Sequence, residues 1–324
     1  VRFPWSRKSR RSRDDDLSDL LVKRGEGVVH LTHNDLDAVG CDAIHRMRYG
    51  QVTSIFCSVG RFPHVLDYVS RLPGNGDILS ITDLGYHTGI ESTLASVTNQ
   101  GWKVEWRDHH RWQEEEIRRV RDRCDLLHVQ VDTCATGICS RDLEPENPVA
   151  AEVARVVCDY DLWKHEDPRS AVLGEVLQRR NNRDHVRDCL VKGVFSDDHI
   201  MDQYREIRQE MEAMMDRSIG RTRIMGNRYR IGFAPLYGYP SETAARMRRV
   251  LSTDMEVLVS PGGRFSLRSV PPVSHLLARH FNGGGHPNAS GGTFPFSFLD
   301  RVRFRLTVSA PQFGRFVEIA ETLE

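Results

Sequence analysis

Between residues 28 and 131, short apolar runs alternate with helix-length amphipathic stretches, and this alternation limits the chain to few architectures. Parallel strands need a crossover long enough to hold a helix, so the pattern specifies a mostly parallel sheet with helices on both faces. Strands are predicted at 28–31, 52–59, 77–82, 103–106 and 126–131, and helices at 38–49, 62–71, 89–100 and 113–123. The expected fold class is α/β, with a smaller α/β C-terminal domain and a cleft between the two. In such sheets ligands collect beyond the carboxyl ends of the strands, where loops converge and helix amino termini point inward.

Three of those strand ends carry side chains suited to metals. His33, Asp35 and Asp37 stand at alternating positions after Val28-Val29-His30-Leu31. Residues two apart on an extended chain share a face, so all three can gather around one point. Carboxylates suit hard divalent cations, and an imidazole among them favours manganese, iron or zinc over calcium. The same aspartates also read as a turn with an N-cap for the helix near Ala38. Asp83 directly follows the strand at 77–82, where one carboxylate can bridge two metals. Asp108-His109-His110 follows the next strand. Adjacent residues there point to opposite faces, so one imidazole is expected on metal and the other on substrate or a supporting carboxylate. A helix at 147–158 delivers Asp159 and Asp161, either of which can complete the set.

The chain has 324 residues, which suggests two domains. The charge balances at 45 basic against 45 acidic residues, so net charge gives no sign of nucleic-acid avidity. Seven cysteines without a Cys-x-x-Cys pair fit a reduced protein, and Cys134 and Cys139 read as part of a small-residue loop. No apolar stretch approaches a membrane span, and a cytoplasmic location is expected. Residues 1–19, basic and serine-rich before Asp14, are expected to form a disordered arm. A long charged helix at 197–218 carries an apolar stripe of Ile200, Tyr204, Ile207, Met211 and Met214 or Met215, read as packing around a linker at 196–220.

The last hundred residues read differently. A strand at 229–236, a helix at 242–251, a hairpin turning on Pro261-Gly262-Gly263 and a helix at 273–281 precede Asn282-Gly283-Gly284-Gly285-His286. Glycines whose amides converge can bind an anion, with His286 donating to the same phosphate. Phe233, Tyr237, Tyr239 and Phe265 suit either base stacking or an ordinary core.

With these residues in view, the chain resembles the DHH phosphoesterase superfamily, named for the tripeptide present here as Asp108-His109-His110. Phe265-Ser266-Leu267-Arg268-Ser269 and Gly283-Gly284-Gly285-His286 resemble the first type of DHH-associated domain. The resemblance implies a catalytic domain at 20–195 and a substrate-binding domain at 221–324. It implies two divalent metals, manganese first, with magnesium, cobalt or iron as alternatives. His33 and Asp35 would hold one and Asp37 and His109 the other, with Asp83 bridging. The last acidic ligand falls at Asp159 or Asp161, with Asp159 favoured because it directly follows Val156, Val157 and Cys158. His110 would lie near the scissile phosphate, and Arg268, Gly283, Gly284, Gly285 and His286 would bind substrate. Asn34 and Leu36 stand where nano-RNases commonly have proline and glycine.

The activity implied is hydrolysis of short single-stranded oligonucleotides, or of cyclic or linear dinucleotides, to mononucleotides by two-metal activation of water. Alternatives are a single-strand exonuclease, a phosphatase of a small metabolite or polyphosphate, and a nucleotide or nucleic-acid sensor with an inert metal site. Without a long positive track, substrates of about two to five nucleotides are expected. A homodimer is compatible with the sequence.

Overall fold

The computed structural model describes residues 13–25 and 27–323, and it divides into two compact units, one ending at Tyr204 and the other starting at Arg205. The first unit runs α1 (Arg13–Val22), β1 (Val28–Thr32), α2 (Leu36–Tyr49), β2 (Thr53–Phe56), α3 (Phe62–Val69), β3 (Ile78–Thr82), α4 (Ile90–Asn99) and β4 (Lys103–Asp108). It continues with α5 (Glu114–Arg121), β5 (Leu126–Val129), α6 (Ala135–Leu143), α7 (Pro148–Asp161), α8 (Pro168–Val176), α9 (Arg183–Val191) and the start of α10 (Asp198–Ile219). Of the arm expected at residues 1–19, residues 1–12 lie outside the described residues, and from Arg13 the chain is helical rather than disordered. Leu17 and Leu21 explain this, since both are buried against the sheet with Val29, Ile55 and Leu66.

The five strands pair in parallel in the order β2-β1-β3-β4-β5. Alternation along β1 sends Val29 and Leu31 into an apolar layer with α3 and α4. Its other face is polar and fully buried. His30 Nε2 contacts Thr82 Oγ1 at 2.8 Å, and His45 of α2 stacks on His30 with ring centroids 4.2 Å apart. Arg107 of β4, also buried, meets Glu105 at 2.8 Å and Asp142 of α6 at 3.0 Å. These contacts fix α2 and α6, the two helices that shape the site.

The polar layer has a consequence for stability. His45 Nδ1 donates to the Cys41 carbonyl at 2.7 Å, so Nε2 accepts from the Ser80 hydroxyl at 2.7 Å, and the ring is neutral. Burial, then the neighbouring His30, holds its pKa well below the ordinary histidine value. The unfolded chain therefore binds a proton that the fold refuses, and stability falls as pH drops below about 6.5, approaching ~1.4 kcal/mol per pH unit from this group. Urea midpoints at about pH 7.5 and about pH 5.5 should show this fall, with a flatter dependence in His45→Gln. Equal dependence in both proteins would refute the assignment.

The second unit begins within α10 and continues with β6 (Arg223–Met225), β7 (Ile231–Pro235), α11 (Pro240–Leu251), β8 (Met255–Val259) and β9 (Arg264–Ser269). α12 (Ser274–Arg279), β10 (Gly284–His286), β11 (Ala289–Thr293), α13 (Phe298–Thr307) and α14 (Pro311–Thr322) follow. Its sheet has the order β10-β11-β9-β8-β7-β6 and is antiparallel except for β7 with β8. Ile207, Met211 and Met215 of α10 are buried, as the stripe implied. Phe233 and Phe265 belong to the core with Phe294, Phe313 and Phe316, which rules them out as platforms for bases. No helix among the described residues is long and apolar enough to cross a membrane.

Candidate active site

β1 lies between β2 and β3, so the chain leaving β1 and the chain leaving β3 run to opposite sides and open a crevice at the strand ends. His33, Asp35 and Asp37 follow β1, and Asp83 follows β3. Asp35 is the N-cap of α2. One oxygen accepts the Ala38 amide at 3.1 Å and the other lies 2.6 Å from His33 Nδ1, so the capping and cluster readings are both realised. Asp37, buried in the first turn of α2, receives the Ala135 and Thr136 amides at 2.8 and 2.7 Å. These come from the amino terminus of α6, whose positive end favours a carboxylate. Thr136 Oγ1 also donates to the Asp37 carbonyl at 2.8 Å, and the close approach needs Gly40, where a Cβ would collide with the Thr136 side chain.

Asp83 links the cluster. Its backbone is left-handed, with φ 52°, a conformation that aspartate tolerates better than most residues. One oxygen lies 3.6 Å from His33 Nδ1 and the other 3.3 Å from His109 Nε2. His109 Nε2 is also 3.6 Å from Asp161 and 3.8 Å from Asp37. Donor atoms of His33, Asp35 and Asp83, and those of Asp37, His109 and Asp161, each fall within 4.8 Å of one another.

Asp159, favoured on sequence, lies outside these groups. Its carboxylate accepts the Glu166 and Asp167 amides at 2.9 and 3.2 Å and the Ser170 hydroxyl at 2.5 Å, so it organises the turn after α7. The helix continues through Asp161, which the sequence ended at Cys158, and that extra turn delivers the second carboxylate to His109. His110 offers a donor atom within 4.8 Å of those of Asp83 and His109, while its Nδ1 meets Asp108 at 2.8 Å and Trp112 holds the other Asp108 oxygen at 2.7 Å.

Electrostatics favour a cation here. Burial, then repulsion from Asp83 and Asp161, pushes Asp37 well above the usual carboxylate range, and burial lifts Asp161 to about 6. The hydrogen bond to Asp35, then the nearby Asp83 carboxylate, raises His33 to about 10. Burial opposes protonation of His109, yet Asp83, Asp37 and Asp161 lift it to about 9. Asp83 Oδ2, on the His33 side, and Asp161 Oδ2, on the His109 side, are buried without a hydrogen-bond partner, which a cation in each set would supply, so the residues fit metal.

Sequence reasoning missed α6, where a loop was expected. Thr136 and Gly137 lower its helix propensity and hid it. The cysteines also differ from expectation, because Cys134, the N-cap of α6, is disulfide-bonded to Cys158 of α7. That bond ties the helix holding Asp37 to the helix carrying Asp161.

In the second unit, the glycine run is a strand, not a nest of converging amides. β10 pairs with β11 through Gly284, Gly285 and His286, and Gly283 is required because a Cβ there would meet the Gly291 backbone. His286, Ala289 and Arg268 are in register across β10, β11 and β9, and so project from one face. His286 is exposed, whereas Arg268 is half-buried and donates to Ser241 Oγ, at the start of α11, at 2.9 Å.

No protein-family model matches the chain. Among solved structures, a DHH domain described as a member of the s1p family of ribosomal proteins superposes with a TM-score of 0.61 at 13% identity, covering 96% of this chain and 92% of that one. The pGpG-specific phosphodiesterase PggH from Vibrio cholerae superposes with a TM-score of 0.56 at 12% identity, covering 87% and 98%. These likenesses concern the fold. In sequence, the chain is 25% identical over 293 residues to oligoribonuclease NrnB of Bacillus subtilis, covering 82% of this chain and 72% of that protein. The fold likeness and the 25%-identical relative agree with the resemblance that Asp108-His109-His110 carries to the DHH phosphoesterase superfamily.

Proposed function

We propose that the protein is a two-metal phosphodiesterase that hydrolyses short single-stranded oligonucleotides or dinucleotides to mononucleotides. The observation that carries this reading is Asp83, whose two oxygens face His33 on one side and His109 on the other, joining two sets of metal-ligand side chains. His33 and Asp35 would hold one cation, and Asp37, His109 and Asp161 the other, with Asp83 shared. Oxygen ligands with one imidazole per set favour manganese. Two such cations, when bound, activate water and stabilise charge on the attacking and leaving oxygens.

The chain's own groups supply orientation and charge. The α6 amides hold both oxygens of Asp37, fixing the direction from which its carboxylate meets the centre. The Asp108 hydrogen bond raises the His110 pKa and orients the ring, so that Nε2 would donate to a phosphate oxygen near the centre. Arg268 is the cation proposed to grip a phosphate in the second unit, beside the amino terminus of α11.

Substrate length tests the reading. A site that grips one or two phosphates gains little from a longer strand, and its affinity falls with salt with a log–log slope of only about −1. Rates on single strands from a dimer to about 24 nucleotides, at two salt concentrations, should be at least about tenfold higher for dimers to pentamers. Faster cleavage of the longest strand with a steep salt dependence would favour an exonuclease, and turnover of polyphosphate alone would favour a phosphatase.

A further inference from the structure

The first unit carries another set of metal-ligand side chains that the phosphodiester chemistry does not use. His185 and Cys189 stand four residues apart on α9, and so occupy one face of the helix. Asp197 faces them from the residue before α10. One of its oxygens accepts the Ile200 amide at 2.8 Å, capping α10 and fixing the carboxylate's direction. The other lies 2.7 Å from His185 Nε2 and 3.4 Å from Cys189 Sγ, and that sulfur is 3.6 Å from His185 Nε2.

We propose that His185, Cys189 and Asp197 form a site for one zinc-type divalent cation that pins α9 to the start of α10. Zinc bonds of about 2.3 Å to sulfur and about 2.0 Å to nitrogen and oxygen, arranged tetrahedrally, place donor atoms roughly 3.3 to 3.6 Å apart. The two distances involving sulfur already have that length. Only the His185–Asp197 pair must open, by roughly 0.6 Å, as a hydrogen bond gives way to a shared cation. The His199 ring packs 4.4 Å from that of His185, and solvent is left to fill the fourth position. Cys189 is buried while His185 and Asp197 are partly exposed, which gives a cation a route in.

Ligand chemistry separates this site from the candidate catalytic centre. That centre offers imidazole and carboxylate donors and no sulfur. A thiolate selects zinc or cobalt and is poorly suited to magnesium or manganese. The two sites therefore share no residue and sort cations by softness.

Cobalt(II) titration of the 324-residue chain, preloaded with manganese and handled under argon without a reductant so that the Cys134–Cys158 disulfide stays intact, tests the proposal. Only thiolate ligation gives the near-ultraviolet sulfur-to-cobalt charge-transfer band. One equivalent of cobalt should produce it, and zinc should displace it. Cys189→Ser should abolish the band, and Asp197→Asn, which keeps the cap, should weaken cobalt binding by on the order of tenfold. Manganese-dependent turnover should be unchanged in both. His185→Gln, on a partly exposed helix face, provides a further ligand deletion should Cys189→Ser fail to fold. Absence of the band in the wild-type protein, or its survival in Cys189→Ser or His185→Gln, would overturn the proposal and leave an ion pair with a helix cap.

Discussion

Asp83→Ala should lower dinucleotide turnover by at least about 100-fold, beyond the 10- to 100-fold typical of groups that only support ligands. Each oxygen of Asp83 faces a different histidine, so its loss uncouples both halves of the centre at once. The metal-free fold should survive the change. Burial and the Asp35 carboxylate already oppose ionisation of Asp83, so its removal relieves repulsion among buried acids. Metal content should fall while circular dichroism is unchanged. The same assay separates the two candidates for the last ligand: Asp161→Asn should lose activity with little change in stability. Asp159→Ala should instead lower the unfolding midpoint, because three local donors lose their acceptor. Manganese-dependent activity of Asp83→Ala within a few-fold of wild type would end the bridging assignment.

What the sequence made legible follows from which forces are local. Strand ends at 31, 82 and 106 were readable because apolar runs give way there to charged residues, and a parallel sheet gathers such ends at one edge. That His33, Asp35, Asp37, Asp83 and His109 lie close together was thereby legible without knowing a distance. Asp161 was misjudged because the end of an apolar run was taken as the end of α7, whereas the Asn147 cap, Pro148 and interior packing carry the helix one turn further. The role of α6 was invisible for another reason. Two of its contacts to Asp37 are made by backbone amides, which every residue type offers, across a separation of about a hundred residues. The glycine run failed as a nest because glycine serves close strand approach as readily as anion binding, and only pairing with β11 distinguishes them.

Arg268→Ala should cost on the order of 2 to 5 kcal/mol of transition-state binding, roughly a 30-fold to several-thousand-fold loss in kcat/KM. Arg268 is half-buried on β9, and among the described residues no carboxylate pairs with it. Its guanidinium donates to the Leu267 carbonyl at 3.1 Å and to Ser241 Oγ at 2.9 Å. Burial holds its pKa below the ordinary arginine value, so the fold bears a cost for keeping this charge. Glu242 and Glu256 act on it only at longer range, so a guanidinium with no direct ion pair, beside a helix amino terminus, is suited to an incoming phosphate. The variant should therefore lose activity without losing stability, and its thermal midpoint should stay level or rise, which a merely structural arginine would not allow. Arg268→Lys keeps the charge but not the two-pronged geometry, so it should recover only part of the loss. His286→Ala, at an exposed position on the same face, should have the smaller effect. Metal content should match the wild type in all three variants. Loss of metal, or turnover of Arg268→Ala close to wild type, would remove Arg268 from substrate binding.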